Sequence, residues 1–209
     1  MKYDIQKKTE IYTSENYLNH KRWSSYSLII NEIIKIKPKT VLEIGPGNFI
    51  ISAILKQMNI GVKTLDFDKH LNPDFVCDIS DYQNFPDEKF DCIIAAQVFE
   101  HIEYHDFINV LSNLKKHTNY LILSLPYTSA NSIFINFSMH FPVFKYFNFS
   151  IKIFFKKIKH IFNGQHYWEI GKKNFSLRKV KKDILKSGWK IERRYINQQN
   201  PYHYFFILK

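Results

Sequence analysis

Hydrophobic and polar positions along this chain recur in two periods, one helical and one of extended strands. Between 17 and 35, Trp23, Tyr26, Ile30, Ile33 and Ile34 fall at helical spacing and predict an amphipathic helix that ends before Pro38. Residues 40–44 are a short apolar run, hence a strand, followed at once by Gly45-Pro46-Gly47. Ile51, Ile54, Leu55 and Met58 predict a second helix with Gly61 as its stop. Strands are expected at 62–65, 75–77 and 90–96. A helical stripe of Phe107, Val110, Leu111 and Leu114 leads to a strand at 120–125 closed by Pro126. Leu177, Val180, Ile184 and Leu185 predict a last helix ended by Gly188, then strands at 189–196 and 204–208. Strands alternating with helices imply a parallel sheet covered on both faces. The last two strands have no helix between them, so the final one is expected to run antiparallel. The fold class is therefore α/β: a Rossmann-like doubly wound sheet, mostly parallel, in a single domain.

A length of 209 residues with 45% hydrophobic side chains suits one domain with a sizeable core and excludes wholesale disorder. No run reaches the ~18 apolar residues of a spanning helix. The first sixteen residues hold no apolar segment, so secretion is not expected. Cys77 and Cys92 are too few for a disulfide framework or a zinc site, and a cytoplasmic location follows. The net charge of +11 favours anionic partners, and it is local: no acid occurs between Asp106 and Glu169.

Ligands of a doubly wound sheet bind beyond the carboxyl ends of its strands. Four such ends carry conspicuous polar residues: Glu43 with Gly45 and Gly47, then Asp66, Asp78, and Gln97 with Glu100-His101 behind it. The glycines let backbone approach a ligand closely. Asp66 can accept both hydrogen bonds of a ribose diol. Asp78 and Ile79 suit an adenine, and Glu43 and Gln97 lie where an ammonium could be held. A nicotinamide dehydrogenase would carry G-x-G-x-x-G, but Ile50 occupies the third glycine position.

In these segments the chain resembles the class I S-adenosylmethionine-dependent methyltransferases. Val41-Leu42-Glu43-Ile44-Gly45-Pro46-Gly47 looks like the first motif and Thr64-Leu65-Asp66-Phe67-Asp68 like the second. Asp74-Phe75-Val76-Cys77-Asp78-Ile79 looks like the third, and the stretch from Phe90 through Gln97-Val98-Phe99-Glu100-His101-Ile102 like the fourth. The resemblance implies a seven-stranded sheet and S-adenosylmethionine as cofactor. By position it implies Gly45 and Gly47 at the methionine end, Asp66 on the ribose, and Phe67 beside the adenine. It also implies Asp78 and Ile79 on the adenine and Gln97 in the methionine pocket. Asp68 is a rival to Asp66, which lies nearer its strand end. All four motif segments are intact, which argues against a degenerate, membrane-associated partner protein.

A hydroxyl acceptor must lose its proton; the candidates are His101, His166 and Glu100, of which His101 and His166 are taken as the catalytic residues. No metal site is expected, because the acids lie on separate strand ends and already serve the cofactor. A DNA amino-methyltransferase would carry Asn/Asp-Pro-Pro-aromatic after the fourth strand, where this chain has Gln97-Val98-Phe99-Glu100. The insert at about 128–165 holds nine phenylalanines and Lys145, Lys152, Lys156, Lys157 and Lys159. It reads as a lid, as an interfacial segment at the inner face of a membrane, as an RNA surface, or as an ordinary helical subdomain. Nine large apolar residues are more than a nucleic-acid surface needs, which places RNA behind lid and membrane. The insert and the string Gly164-Gln165-His166-Tyr167-Trp168-Glu169-Ile170-Gly171 are similar to small bacterial methyltransferases of surface-polysaccharide synthesis. That similarity implies O-methylation of a small or lipid-linked, anionic sugar.

Overall fold

Alternation along the strands sorts the apolar side chains onto the two faces of one sheet. The computed structural model describes residues 12, 14–15, 17–139, 147–162 and 164–209. In chain order the elements are α1 (His20–Ile36), β1 (Thr40–Ile44), α2 (Ile50–Gln57), β2 (Gly61–Asp66), β3 (Phe75–Val76), β4 (Cys92–Ala96) and α3 (Phe107–His117). There follow β5 (Leu121–Pro126), β6 (Ser132–Met139), β7 (Phe147–Phe154), α4 (Leu177–Lys186), β8 (Ile191–Ile196) and β9 (His203–Leu208). Seven strands form one sheet in the order β3-β2-β1-β4-β5-β9-β8. β1 pairs in parallel with β2 and with β4, so Val41 lies opposite both Val62 and Cys92. β9 slots antiparallel between β5 and β8, as the missing crossover helix requires.

Val41, Cys92, Ile94, Ile122, Phe205 and Ile207 pack under α1 and α2. Their strand neighbours Leu42, Ile93, Ala95, Leu121, Leu123 and Phe206 pack under α3 and α4. The expected stripe of α3 is wholly buried. That of α1 is rotated from its expected place. Ser25, Tyr26, Ile29, Glu32 and Ile33 face inward, while Trp23 and Ile34 are 46% and 51% exposed. Glu32 can be buried because Arg193 Nη2 and Lys35 Nζ reach its carboxylate at 2.7 and 2.8 Å and Tyr195 donates at 3.2 Å. A hydropathy pattern counts this residue as solvent-facing. Gly61 is likewise not the stop of α2. Asn59 takes the left-handed turn at φ 59°, and Gly61 already belongs to β2.

The insert is not a helical subdomain but a two-stranded antiparallel ribbon, β6–β7. Its pairs Ile133–Ile153, Ile135–Ile151 and Phe137–Phe149 share one face, each residue 39–49% exposed. Strand periodicity, masked in the sequence by phenylalanines on both faces, accounts for the ladder. Lys152 on the other face donates to the carbonyls of Tyr127 and Pro201 at 2.7 and 2.8 Å, and burial pushes its ammonium down to about 8. It anchors the ribbon and does not belong to the solvent-facing charge. Phe141, Phe144 and Lys145 lie outside the described residues, as does the Phe147 side chain. Among the described residues no helix is long and apolar enough to cross a membrane.

Candidate functional site

The sheet order changes direction at β1, with β2 on one side and β4 on the other, and a cavity of about 460 Å³ opens at the carboxyl ends of these strands. Gly45 follows β1 at φ +67°. A Cβ there would stand 2.6 Å from Val98 Cγ2, so no other residue fits without moving the cavity wall. Its N–H donates to the Leu65 carbonyl at 2.9 Å, which holds the loop against the end of β2.

Asp66 ends β2 and is 9% exposed on the wall. Its Oδ1 accepts from the Asp68 N–H at 2.9 Å. Burial pushes its carboxyl up to about 6 against the pull of the Asp68 and Phe67 amides, and the Asp68 carboxylate raises it further. Asp68 also lines the cavity, but its Oδ1 caps the following turn through the His70 N–H at 2.9 Å. Asp78 accepts from the Ser80 N–H and Oγ–H at 2.8 and 2.7 Å, a turn that sets Ile79 on the wall beside Phe67. Gln97 sits at φ +60° beyond β4, its Nε2 donating to Ser124 Oγ at 2.9 Å.

Six of the eight sequence-chosen cofactor residues thus meet on one wall: Gly45, Asp66, Phe67, Asp78, Ile79 and Gln97. Glu43 and Gly47 do not. Glu43 turns into the packing between β1 and α2, where it accepts from Ser52 Oγ, and burial pushes its carboxyl up to about 7. Gly47 faces the Tyr12 ring, 3.2 Å from where its Cβ would stand, and it is Tyr12 that reaches the cavity.

The other end of the cavity is built by two distant segments. The 3-10 turn Phe99–His101 follows β4 and brings Glu100 and His101. The loop before α4 brings Gln165 and His166. Trp168 clamps the two together. It is fully buried, and its Nε1 donates to the carbonyls of Phe99 and Ile102 at 3.1 and 3.2 Å. The Tyr167 N–H adds a bond to the Glu100 carbonyl at 2.8 Å. The His101 and His166 rings meet edge to face at 5.1 Å. His101 Nδ1 lies 3.0 Å from the Gln165 carbonyl, and His166 Nδ1 lies 3.1 Å from Glu169 Oε1. Tyr202 donates to the same carboxylate oxygen at 2.5 Å. Burial pushes the Glu169 carboxyl up, but the hydrogen bonds of His166 and Tyr202 outweigh it and hold the group at about 2. Glu100 is fully buried with neither carboxylate oxygen hydrogen-bonded among the described residues; burial pushes its carboxyl up to about 7, opposed by His166.

The pattern of motifs gave no sign of several wall residues. Tyr12, Lys21 and Arg22 come from the chain before and at the start of α1, and Asn200, Tyr202 and His203 from the turn and start of β9. His203 Nδ1 pairs with Ser25 Oγ at 2.8 Å, and burial, with Arg22 adding to it, pushes its imidazole down to about 3.

A sequence profile described as a methyltransferase domain matches residues 18–167. The chain belongs to the methyltransferase-domain family. Solved structures with the same fold include an S-adenosylmethionine-dependent methyltransferase from Clostridium acetobutylicum, 14% identical, TM-score 0.58, with 96% of each chain covered. The N-methyltransferase NodS from Bradyrhizobium japonicum, in complex with S-adenosylhomocysteine, is 11% identical at TM-score 0.60 over 96% of this chain and 95% of that one. The glycopeptide N-methyltransferase MtfA, complexed with S-adenosylmethionine, is 12% identical at TM-score 0.58 over 88% and 92%. No curated protein matches the chain.

The cavity of this methyltransferase fits S-adenosylmethionine, the compound held by the MtfA complex. The volume lies in the range of small-molecule sites. Its Asp66 end offers carboxylate acceptors for a diol, and the Phe67–Ile79 wall offers apolar surface for a flat ring. The described acids Asp66, Asp68 and Glu100 lie where a cationic sulfonium compound would be favoured.

Proposed function

We propose that this methyltransferase transfers the methyl group of S-adenosylmethionine to a hydroxyl of a small, sugar-type acceptor, free or lipid-linked. The cofactor supplies an activated methyl on a sulfonium centre, so the protein must align the acceptor oxygen, exclude water and take care of its proton. Asp66 holds the ribose hydroxyls, Ile79 and Phe67 flank the adenine, Asp78 orders the turn that presents Ile79, and Gly45 and Gln97 border the methionine end. His101 and His166 face the acceptor oxygen.

The observation that carries this reading is the make-up of the cavity. The six expected cofactor residues come from the strand ends, while the imidazoles, Tyr202 and Asn200 come from other segments and add polar groups suited to a hydroxyl-rich molecule. Lys21 and Arg22 also line the cavity and suit an anionic group on that acceptor. The ribbon packs on the turn that carries Asn200, with Gln198 Nε2 donating to Ser150 Oγ at 3.0 Å. Its exposed ladder and the exposed Lys156, Lys157 and Lys159 suit contact with an anionic lipid surface at the inner membrane face. An amine acceptor is the second reading, favoured by the N-methyltransferases among the fold relatives.

The test supplies methyl-labelled S-adenosylmethionine with nucleotide sugars, lipid-linked sugars, amino sugars and RNA. Label on a sugar oxygen, mapped by NMR, is the expected result. Label on nitrogen selects the second reading, and label in RNA alone overturns both.

A further inference from the structure

We propose that the outward face of the β6–β7 ribbon, with the segment 155–162 that follows it, docks this protein on an anionic lipid bilayer and that the acceptor is therefore lipid-linked. The proposal deepens the methyl-transfer reading above and rests on it. The ribbon has two unlike faces. Its inner face packs on the body of the protein. Phe154 lies against Gly171 and the Tyr127 ring, and Lys152 is spent on the Tyr127 and Pro201 carbonyls. Its outer face carries the pairs Ile133–Ile153, Ile135–Ile151 and Phe137–Phe149. Beyond them Phe155, Ile161 and Phe162 are 69%, 79% and 49% exposed. Apolar residues scattered singly on a surface are ordinary, but a ladder of six with three more just beyond it marks a face that a partner covers.

Charge selects the partner. Lys156, Lys157 and Lys159 are exposed between Phe155 and Ile161, and the chain has no acid between Asp106 and Glu169 to offset them. Isoleucine and phenylalanine at the acyl boundary with lysine at anionic headgroups is the make-up of an interfacial segment. The lysine stems let each ammonium stay at headgroup level while their apolar neighbours sink deeper. A second copy of the chain would set the same lysines against one another and bring no carboxylate from this segment to meet them. A nucleic acid would need rings on which its bases stack, and four of the six ladder residues are isoleucine.

The same elements are tied to the cavity. His160 Nε2 lies 2.7 Å from the His166 carbonyl, and the Phe162 ring stacks on Tyr167 with centroids 4.4 Å apart. The Ile158 carbonyl accepts from the Lys173 N–H at 2.8 Å, which holds the segment to the loop before α4. On the other side, Lys152 bonds the carbonyl of Pro201, which stands between the wall residues Asn200 and Tyr202. The docking face is thus joined to both segments that bring His166 and Asn200 to the cavity. A bilayer bound there keeps the lipid anchor of an acceptor in the membrane while its sugar enters the cavity.

The experiment is flotation of the full chain with vesicles of phosphatidylcholine alone and of phosphatidylcholine with about one-quarter phosphatidylglycerol. Binding to the anionic vesicles is expected, weakening as salt rises from about 0.05 to about 0.5 M. Phe155→Ser combined with Ile161→Ser should weaken it at least about 10-fold, and Lys156→Gln, Lys157→Gln and Lys159→Gln together about 100-fold. Ile34→Ser, at an exposed apolar position of α1, should change nothing. Circular dichroism and S-adenosylhomocysteine affinity, measured on each variant, report folding. In the labelling assay above, label is expected in the lipid-linked sugars. No flotation with anionic vesicles by a wild-type chain that binds S-adenosylhomocysteine overturns the docking alone. Flotation undiminished in both sets of variants overturns the choice of face. Retention on RNA without flotation overturns the proposal, as does a dimer without flotation that the Phe155→Ser, Ile161→Ser variant fails to form. Label confined to free sugars overturns the lipid-linked acceptor. Failure of the wild-type chain to bind S-adenosylhomocysteine overturns the underlying cofactor reading instead.

Discussion

Lowering the pH from 8 to 5 should weaken S-adenosylhomocysteine binding about ten-fold, and Asp66 is the group responsible. Burial holds its carboxyl at about 6 in the free protein, against an ordinary 3.8. A ribose diol brings two donors and needs the ionised acceptor. Binding therefore favours the deprotonated form and releases a proton near pH 6. The Asp66 contribution is flat above about pH 7 and falls as the pH drops through about 6. At pH 5 roughly one molecule in eleven is ionised, which corresponds to about 1.4 kcal/mol. Glu100, on the same cavity and raised to about 7, adds its own slope above pH 6, so Asp66→Asn isolates the Asp66 part. Tyr12 is pushed up to about 12 and stays neutral, and the like charge of Asp68 only helps to raise Asp66. The assay is calorimetry at each pH in two buffers of different ionisation enthalpy, which counts the released proton directly. Asp66→Asn should remove the Asp66 part of the profile and bind about 1–3 kcal/mol more weakly at pH 8. A flat wild-type profile, or an Asn variant that keeps the whole slope, would refute the assignment.

Glu43→Gln should stabilise the fold at pH 8. The raised carboxyl contributes stability that is complete below about 4.5 and lost as the pH rises through about 7, so the gain reaches up to about 3 kcal/mol at pH 8 and vanishes by pH 4. Urea titrations at both pH values check this, and a less stable Gln variant at pH 8 would contradict it. Gly45→Ala should cost at least about 1–2 kcal/mol from its left-handed backbone, or about 2–8 °C in Tm, plus displacement of Val98. Adding Val98→Ala should restore part of the loss. Trp168→Phe removes the donor of two buried carbonyls and should cost about 2–4 kcal/mol. In the chains that remain folded, acceptor KM should rise while S-adenosylhomocysteine affinity holds.

Much of the molecule was legible because its signals are local. The stripe of α3, the apolar runs of β1 and β4 and the polar residue at each strand end are short-range patterns, and the sheet order then carries those ends to one place. Where the expectation departed from the structure, a long-range partner had intervened. Glu32 is inward because Arg193 and Tyr195 arrive from β8. Glu43 leaves the cavity because Ser52 of α2 captures it, and Tyr12 takes the place expected of Gly47. The ribbon hid its period because phenylalanines occupy both of its faces.

The sequence by itself determined the fold class, the glycine loop, the acids at the strand ends that line the cavity and the methyltransferase family. Each of these depends on the period of burial along one element or on the residue at its end. Only the tertiary structure decided the company that Glu100 keeps. A carboxylate on one turn, an imidazole beside it and a second imidazole from a remote loop become neighbours because a buried indole bonds two carbonyls across the gap. No local pattern encodes that closure, since the free energy that holds it comes from packing between segments far apart in the chain.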